Sequence, residues 1–110
     1  MKCAEMADLK LDDPRSIGYT YKCMSAALTA LRIFSRMQQD GTVLLSDVFK
    51  TIISALIAQG GDADTNAAVA GAVIGCCIGY ENLPSKWIQG MPYVVWLDAW
   101  VQKLLYMMQF

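Results

Sequence analysis

The chain is predicted to be all-α, a compact orthogonal bundle of about four main helices. Three observations predict this. Apolar residues recur at helical spacing along 17–34, 48–57 and 94–105. No strand-length alternation or internal repeat competes with that periodicity. Between the periodic stretches stand helix-ending residues, "DG" at 40–41 and a Gly-Gly pair at 60–61.

Taken in order, Leu9–Pro14 is a polar lead-in within a flexible segment 1–13, and Pro14 disfavours helix at Asp13. Ser16 or Gly18 then opens a helix reaching about Met37, with Ile17, Met24, Ala27, Leu28, Leu31 and Phe34 on its apolar side. Gln38–Thr42 is the turn that stops it. A second helix starts near Ser46, where Ser-Asp offers an N-cap and early negative charge, and carries Val48, Phe49, Ile52, Ile53, Leu56 and Ile57. Asp62 or Asp64 starts a third, running to about Gly79, on which Gly71, Gly75 and Gly79 form a side-chain-free stripe that another helix can approach closely. Pro84 opens a short turn around Trp87, and Pro92 leads into a final helix with Val94, Leu97, Val101, Leu104 and Leu105 on one side. Trp96 and Trp100, spaced i, i+4 on that helix, are expected to bury together.

Residues 1–110 amount to one domain, with 55% hydrophobic and 17% charged residues, so the chain folds around a dense core or meets a partner surface. A formal charge of −1 supplies no basic field for a nucleic-acid backbone or an anionic membrane. The longest uncharged run, Thr65–Tyr80, falls short of the ~20 residues of a membrane span, is rich in glycine and reads as a buried helix. Met1–Asp13 lacks the long apolar core of a signal peptide. Cys3, Cys23, Cys76 and Cys77 show no CxxC spacing, and Cys76 and Cys77 read as small core residues. Reduced thiols and no leader predict a cytoplasmic location, with the nucleus as the second choice. The absence of histidine removes the usual general base of serine and cysteine hydrolases.

The candidate site is the stretch Gly60–Thr65, "GGDADT". A helix N-terminus favours a carboxylate and accounts for one aspartate as a cap. Asp62, Asp64 and Thr65 can also converge on a hard cation, since all three are oxygen donors and the glycines let the backbone turn tightly. Without Cys or His nearby, the set argues against zinc. Spacing alone leaves capping and metal binding both open.

The string "GGDADTNAAVAGAVIGCCIG", followed by "LPSKW", resembles the C-terminal signature of the ADP-ribosylhydrolase family, the ADP-ribosylglycohydrolase or DraG-like proteins that include J1 crystallins. The upstream "SIGYTYKCMSAALTALRIF" is similar to the helix that precedes that signature, and the similarity spans Leu9 to Leu105. The resemblance implies the C-terminal part of an all-α fold with a binuclear Mg²⁺ or Mn²⁺ site that cleaves the glycosidic bond between ADP-ribose and a protein side chain or small molecule. Carried over residue by residue, it implies Asp62 and Asp64 as metal-binding carboxylates, Asp64 shared between the ions, with Thr65 as a further ligand. It also implies Gly60, Gly61, Ser16, Gly18 and Tyr19 beside bound ADP-ribose. The implied partners are ADP-ribose or an ADP-ribosylated protein.

Two features depart from the family pattern. The N-terminal Thr-Asp-Asp-Thr cluster that supplies the other ligands has no counterpart, because Asp12-Asp13 lies in "KLDDPR" without flanking threonines. Neither Glu5 nor Glu81 has the context of a catalytic base, so the catalytic residue is unassigned. The chain carries half of a metal site, and full activity is expected only with a complementary N-terminal chain or on self-association. Two other readings stand beside the enzyme: a non-catalytic helical interaction protein, and an ADP-ribose-binding module without turnover.

Overall fold

The computed structural model describes residues 4–41 and 43–109, with side chains from Met6 onward. Cys3, Thr42 and the side chain of Glu5, all named above, lie outside these residues. The described chain is helical without strands. Its elements are α1 (Ala4–Ala7), α2 (Thr20–Gln39), α3 (Leu45–Ile57), α4 (Ala63–Ile78), a 3-10 turn at Tyr80–Asn82, α5 (Ser85–Gln89) and α6 (Val94–Met107). Among the described residues no helix is long and apolar enough to cross a membrane.

Two helix starts differ from expectation. α2 begins at Thr20, not at Ser16 or Gly18, because Gly18 takes a left-handed φ of 77° and the preceding residues form successive turns. α3 begins at Leu45 with Leu44 in the cap position, so Ser46 lies inside the first turn and caps nothing. Asp47 still brings negative charge to that turn, where it pairs with Lys50 at 3.0 Å.

The core lies where α4 packs against both α2 and α3. α4 contributes the stripe Asn66, Ala70, Ile74 and Ile78, spaced four residues apart, and α3 contributes Val48, Ile52, Ile53 and Leu56. α2 buries Ala26, Ala27, Thr29, Ala30 and Ile33, whereas Ile17, Met24 and Leu28, expected on the apolar side, are about half exposed. The cause is size. A helix packed closely along α4 needs small residues at the contact, and the alanines supply them, which turns Met24 and Leu28 outward.

Only one position of the glycine stripe is used for packing. A Cβ on Gly71 would stand 3.8 Å from the Phe49 and Ile53 side chains of α3, while nothing approaches within 4 Å of a Cβ on Gly75 or Gly79. Cys76 and Cys77, expected in the core, are exposed, because the buried stripe of α4 runs through Ile74 and Ile78 and leaves both thiols off it.

α5 touches the bundle through an edge-on contact of Trp87 with Phe49, ring centroids 6.2 Å apart. α6 buries none of its residues. Trp96 and Trp100 do pair edge to face at 6.1 Å, with Lys103 5.0 Å above the Trp100 ring, but they do so in the open and not in a core. One side of α6, through Val94, Leu97, Val101 and Leu105, faces Leu83, Ile88 and Met91 across a groove of about 370 Å³. The radius of gyration, 15.0 Å, exceeds the ~13 Å of a closely packed domain of this length, as a helix set outside the core requires.

Candidate functional site

The site forms where the segment 8–19 crosses the start of α4. Met6 and Leu11 are buried and anchor that segment. A chain of short turns then carries it forward, with Asp13 N–H donating to the Lys10 carbonyl, Ser16 N–H to Asp13 and Tyr19 N–H to Ser16. Lys22 of α2 donates from Nζ to the Lys10 carbonyl and ties the segment to the bundle. The result is a wall of Arg15, Ser16, Ile17, Gly18 and Tyr19 lining a shallow depression.

Next to Leu11, Asp12 and Gly18 of this segment stands the α3–α4 connection. Gly60 and Gly61 both adopt left-handed backbone, φ 74° and 70°, and swing the chain into α4. Asp62 occupies the N-cap position, and its carbonyl accepts the Asn66 N–H at 3.0 Å, yet its side chain makes no capping hydrogen bond. Capping therefore does not explain the Asp62 carboxyl. That carboxyl has two neighbours: the Asp64 side chain stands beside it, and its Oδ2 lies 3.8 Å from where a Cβ on Gly18 would be. Asp64 is exposed, and its Oδ1 accepts the Thr65 N–H at 3.0 Å. The adjoining Asp62 side chain and then the Thr65 N–H hold the Asp64 carboxyl below the ordinary carboxylate value.

The sequence-predicted residues thus come together in part. Asp62 at the N-cap and Asp64 and Thr65 in the first turn come together at the start of α4, and Gly18 is brought beside Asp62 although 44 positions separate them in the chain. Tyr19 is exposed and stacks edge to face on Tyr21 at 5.4 Å. Three residues were missed by sequence reasoning. Leu11 and Asp12 lie against Gly61 and Gly60, a placement that only the tertiary path of the segment reveals. Asn66 is 3% exposed, one turn beyond Asp62, and among the described residues its carboxamide has no hydrogen-bond partner. Its signal was available in "DADTNAA", a polar residue at the position where a buried stripe begins.

The donor set suits a hard cation in kind. Two carboxylates and a hydroxyl are oxygen ligands, Mg²⁺ is commonly held by one or two carboxylates with water completing its shell, and the orphaned Asn66 carboxamide beneath Asp62 is a buried polar group in need of a partner. In number the set is short. Among the described residues no three His, Cys, Asp or Glu side chains come together to hold a metal.

Comparison with known proteins identifies the family. Residues 3–109 match the family model for ADP-ribosylglycohydrolase. Over 91 residues the chain is 35% identical to the ADP-ribosyl-(dinitrogen reductase) glycohydrolase of Rhodospirillum rubrum, covering 78% of this chain and 29% of that protein. Over 107 residues it is 28% identical to the ADP-ribosylarginine hydrolase Tri1 of Serratia proteamaculans, covering 97% of this chain and 26% of that protein. The chain therefore spans less than a third of the length of either curated relative. No solved structure matches it. With that match running over residues 3–109, the chain belongs to the ADP-ribosylglycohydrolase family.

Proposed function

We propose that this chain is the ADP-ribose- and cation-facing part of an Mg²⁺-dependent ADP-ribosylhydrolase, which hydrolyses the glycosidic bond between ADP-ribose and an acceptor once a complementary segment supplies further ligands. The observation that carries this reading is the Asp62 carboxyl. It occupies a cap position without a capping hydrogen bond, stands beside Asp64, and lies next to Gly18 from a distant part of the chain. Attraction to the helix dipole accounts for one carboxylate at this end of α4, and leaves the second carboxylate beside it without a role in helix stability.

In this reading Asp62 and Asp64 hold Mg²⁺, or Mn²⁺ in its place, with the Thr65 hydroxyl as a neutral donor. When bound, the ion supplies Lewis-acid stabilisation of developing negative charge. The exposed Ser16–Tyr19 wall binds the ribose and its substituents, Ser16 through its hydroxyl and Tyr19 through its ring. A two-metal centre holds its ions ~3.5–4 Å apart with ligands from both sides. Two carboxylates on one helical turn are one side of such a centre, which is why completion is part of the proposal. The short span relative to the curated relatives and the uncovered α6 support the same requirement.

The test is a calorimetric titration of the purified chain with ADP-ribose, with and without Mg²⁺, repeated on Asp64→Ala. Binding that needs Mg²⁺ and disappears in the variant is the expected result. The exposed apolar side chains of α6 favour a second reading, a non-catalytic helical interaction protein. Absence of any binding by a chain whose helical signal is intact would select it.

A further inference from the structure

Gly61 is the tightest glycine among the described residues. A Cβ built on it would fall 2.6 Å from the Leu11 carbonyl carbon, closer still to the Leu11 carbonyl oxygen, and 3.2 Å from Asp12 Cα. All three are backbone atoms of the crossing segment, which cannot yield as a side-chain tip can. Leu11 is 2% exposed, so its side chain fixes that backbone from the core side. The same segment, seven residues later, brings Gly18 beside Asp62. We propose that Gly61 and Leu11 form a latch that sets the position of the Ser16–Tyr19 wall relative to Asp62 and Asp64. The second glycine of the "GGD" string then serves contact with the chain's own lead-in, in place of the approach to a ligand that the family resemblance implies for it.

The latch makes Gly61 and Leu11 positioning residues. They act through the wall and touch no reacting atom. The inference rests on the hydrolase reading for its functional consequence, while the contact itself stands on geometry alone. Two demands coincide at Gly61, a left-handed φ of 70° and the absence of a Cβ, and another glycine separates them. Gly41, in the turn after α2, has nearly the same φ, 72°, with nothing within 4 Å of a Cβ. Gly41→Ala carries the backbone strain without the collision.

The experiment compares Gly61→Ala, Gly41→Ala and Leu11→Ala with the parent chain by amide NMR and hydrogen exchange, followed by the ADP-ribose and Mg²⁺ titration. In Gly61→Ala the Ser16–Tyr19 resonances are expected to move, and exchange at the Tyr19 amide to rise at least tenfold, while Ala26–Ile33 and Ile52–Leu56 keep their protection. Leu11→Ala loosens the same wall with Gly61 intact, and it decides the matter if Gly61→Ala fails to fold. Gly41→Ala leaves the wall resonances in place. ADP-ribose affinity is expected to fall tenfold or more in Gly61→Ala and to stay within twofold in Gly41→Ala. Wall resonances unmoved in both Gly61→Ala and Leu11→Ala, or moved as far in Gly41→Ala, would overturn the latch. If the parent chain binds no ADP-ribose, the hydrolase reading fails by itself and the NMR comparison still decides the latch.

Discussion

Replacing Ile74 by alanine and, separately, Leu104 by alanine measures how stability is distributed between the three-helix core and α6. Ile74 is 0% exposed at the centre of the α4 stripe, whereas Leu104 on α6 is 55% exposed. Truncating a fully buried Ile to Ala costs about 2–5 kcal/mol from lost transfer and residual cavity, less a few tenths returned by alanine's helix propensity. Taking about 3 kcal/mol and roughly 4–8 °C per kcal/mol for a domain of this size, Ile74→Ala lowers Tm by roughly 12–24 °C. Leu104→Ala removes a side chain already half in water, from a helix that buries none of its residues, so its effect stays within about 0.5 kcal/mol. The assay is thermal and urea unfolding followed by far-ultraviolet circular dichroism, with Tm and midpoint read at several protein concentrations. Equal losses for the two variants would refute the partition. A Leu104→Ala loss that grows with protein concentration would refute it too, by showing that α6 is covered by a second copy in solution.

Two further outcomes follow from burial. Asn66→Ala removes a buried carboxamide that has no partner among the described residues, so urea unfolding should show a change of less than about 1 kcal/mol or a gain, and a loss above about 2 kcal/mol would mean the amide is satisfied in solution. Cys76 and Cys77 should react with a thiol reagent in the native chain well before Cys23, which is half-buried with its Sγ directed at the Thr20 carbonyl; mass spectrometry of labelled peptides over time reports the order, and slow labelling of both exposed thiols would contradict their placement.

The helical order was legible because periodicity and punctuation agree. Val48, Ile52, Ile53 and Leu56 repeat at helical spacing, and the Gly60-Gly61 pair ends the helix they belong to. Which face of α2 turns inward was legible only in part: Ala27, Leu31 and Phe34 pack on the core as expected, and Met24 and Leu28 do not. Large residues at Met24 and Leu28 draw the apolar side one way, but the contact with α4 is set by distance and selects Ala26, Ala27 and Ala30. Hydrophobicity scales rank leucine above alanine and carry no information on helix separation. The α4 end of the site was legible through "GGDADT", since its members are neighbours in sequence. The placement of Leu11 against Gly61 is a long-range contact, and residues 50 positions apart leave no local trace of their meeting.

The alanine face of α2 has a consequence for how this protein can vary. Close packing leaves no spare volume beside Ala26 and Ala30, both fully buried, so an added methylene must displace a helix axis or force a neighbour off its rotamer, at a cost of about 1–3 kcal/mol. Removing the single methyl frees almost nothing. Substitution along that line therefore runs against a wall in one direction of size and against a backbone-entropy limit in the other, and the seam between α2 and α4 admits a narrower alphabet than the isoleucines facing it.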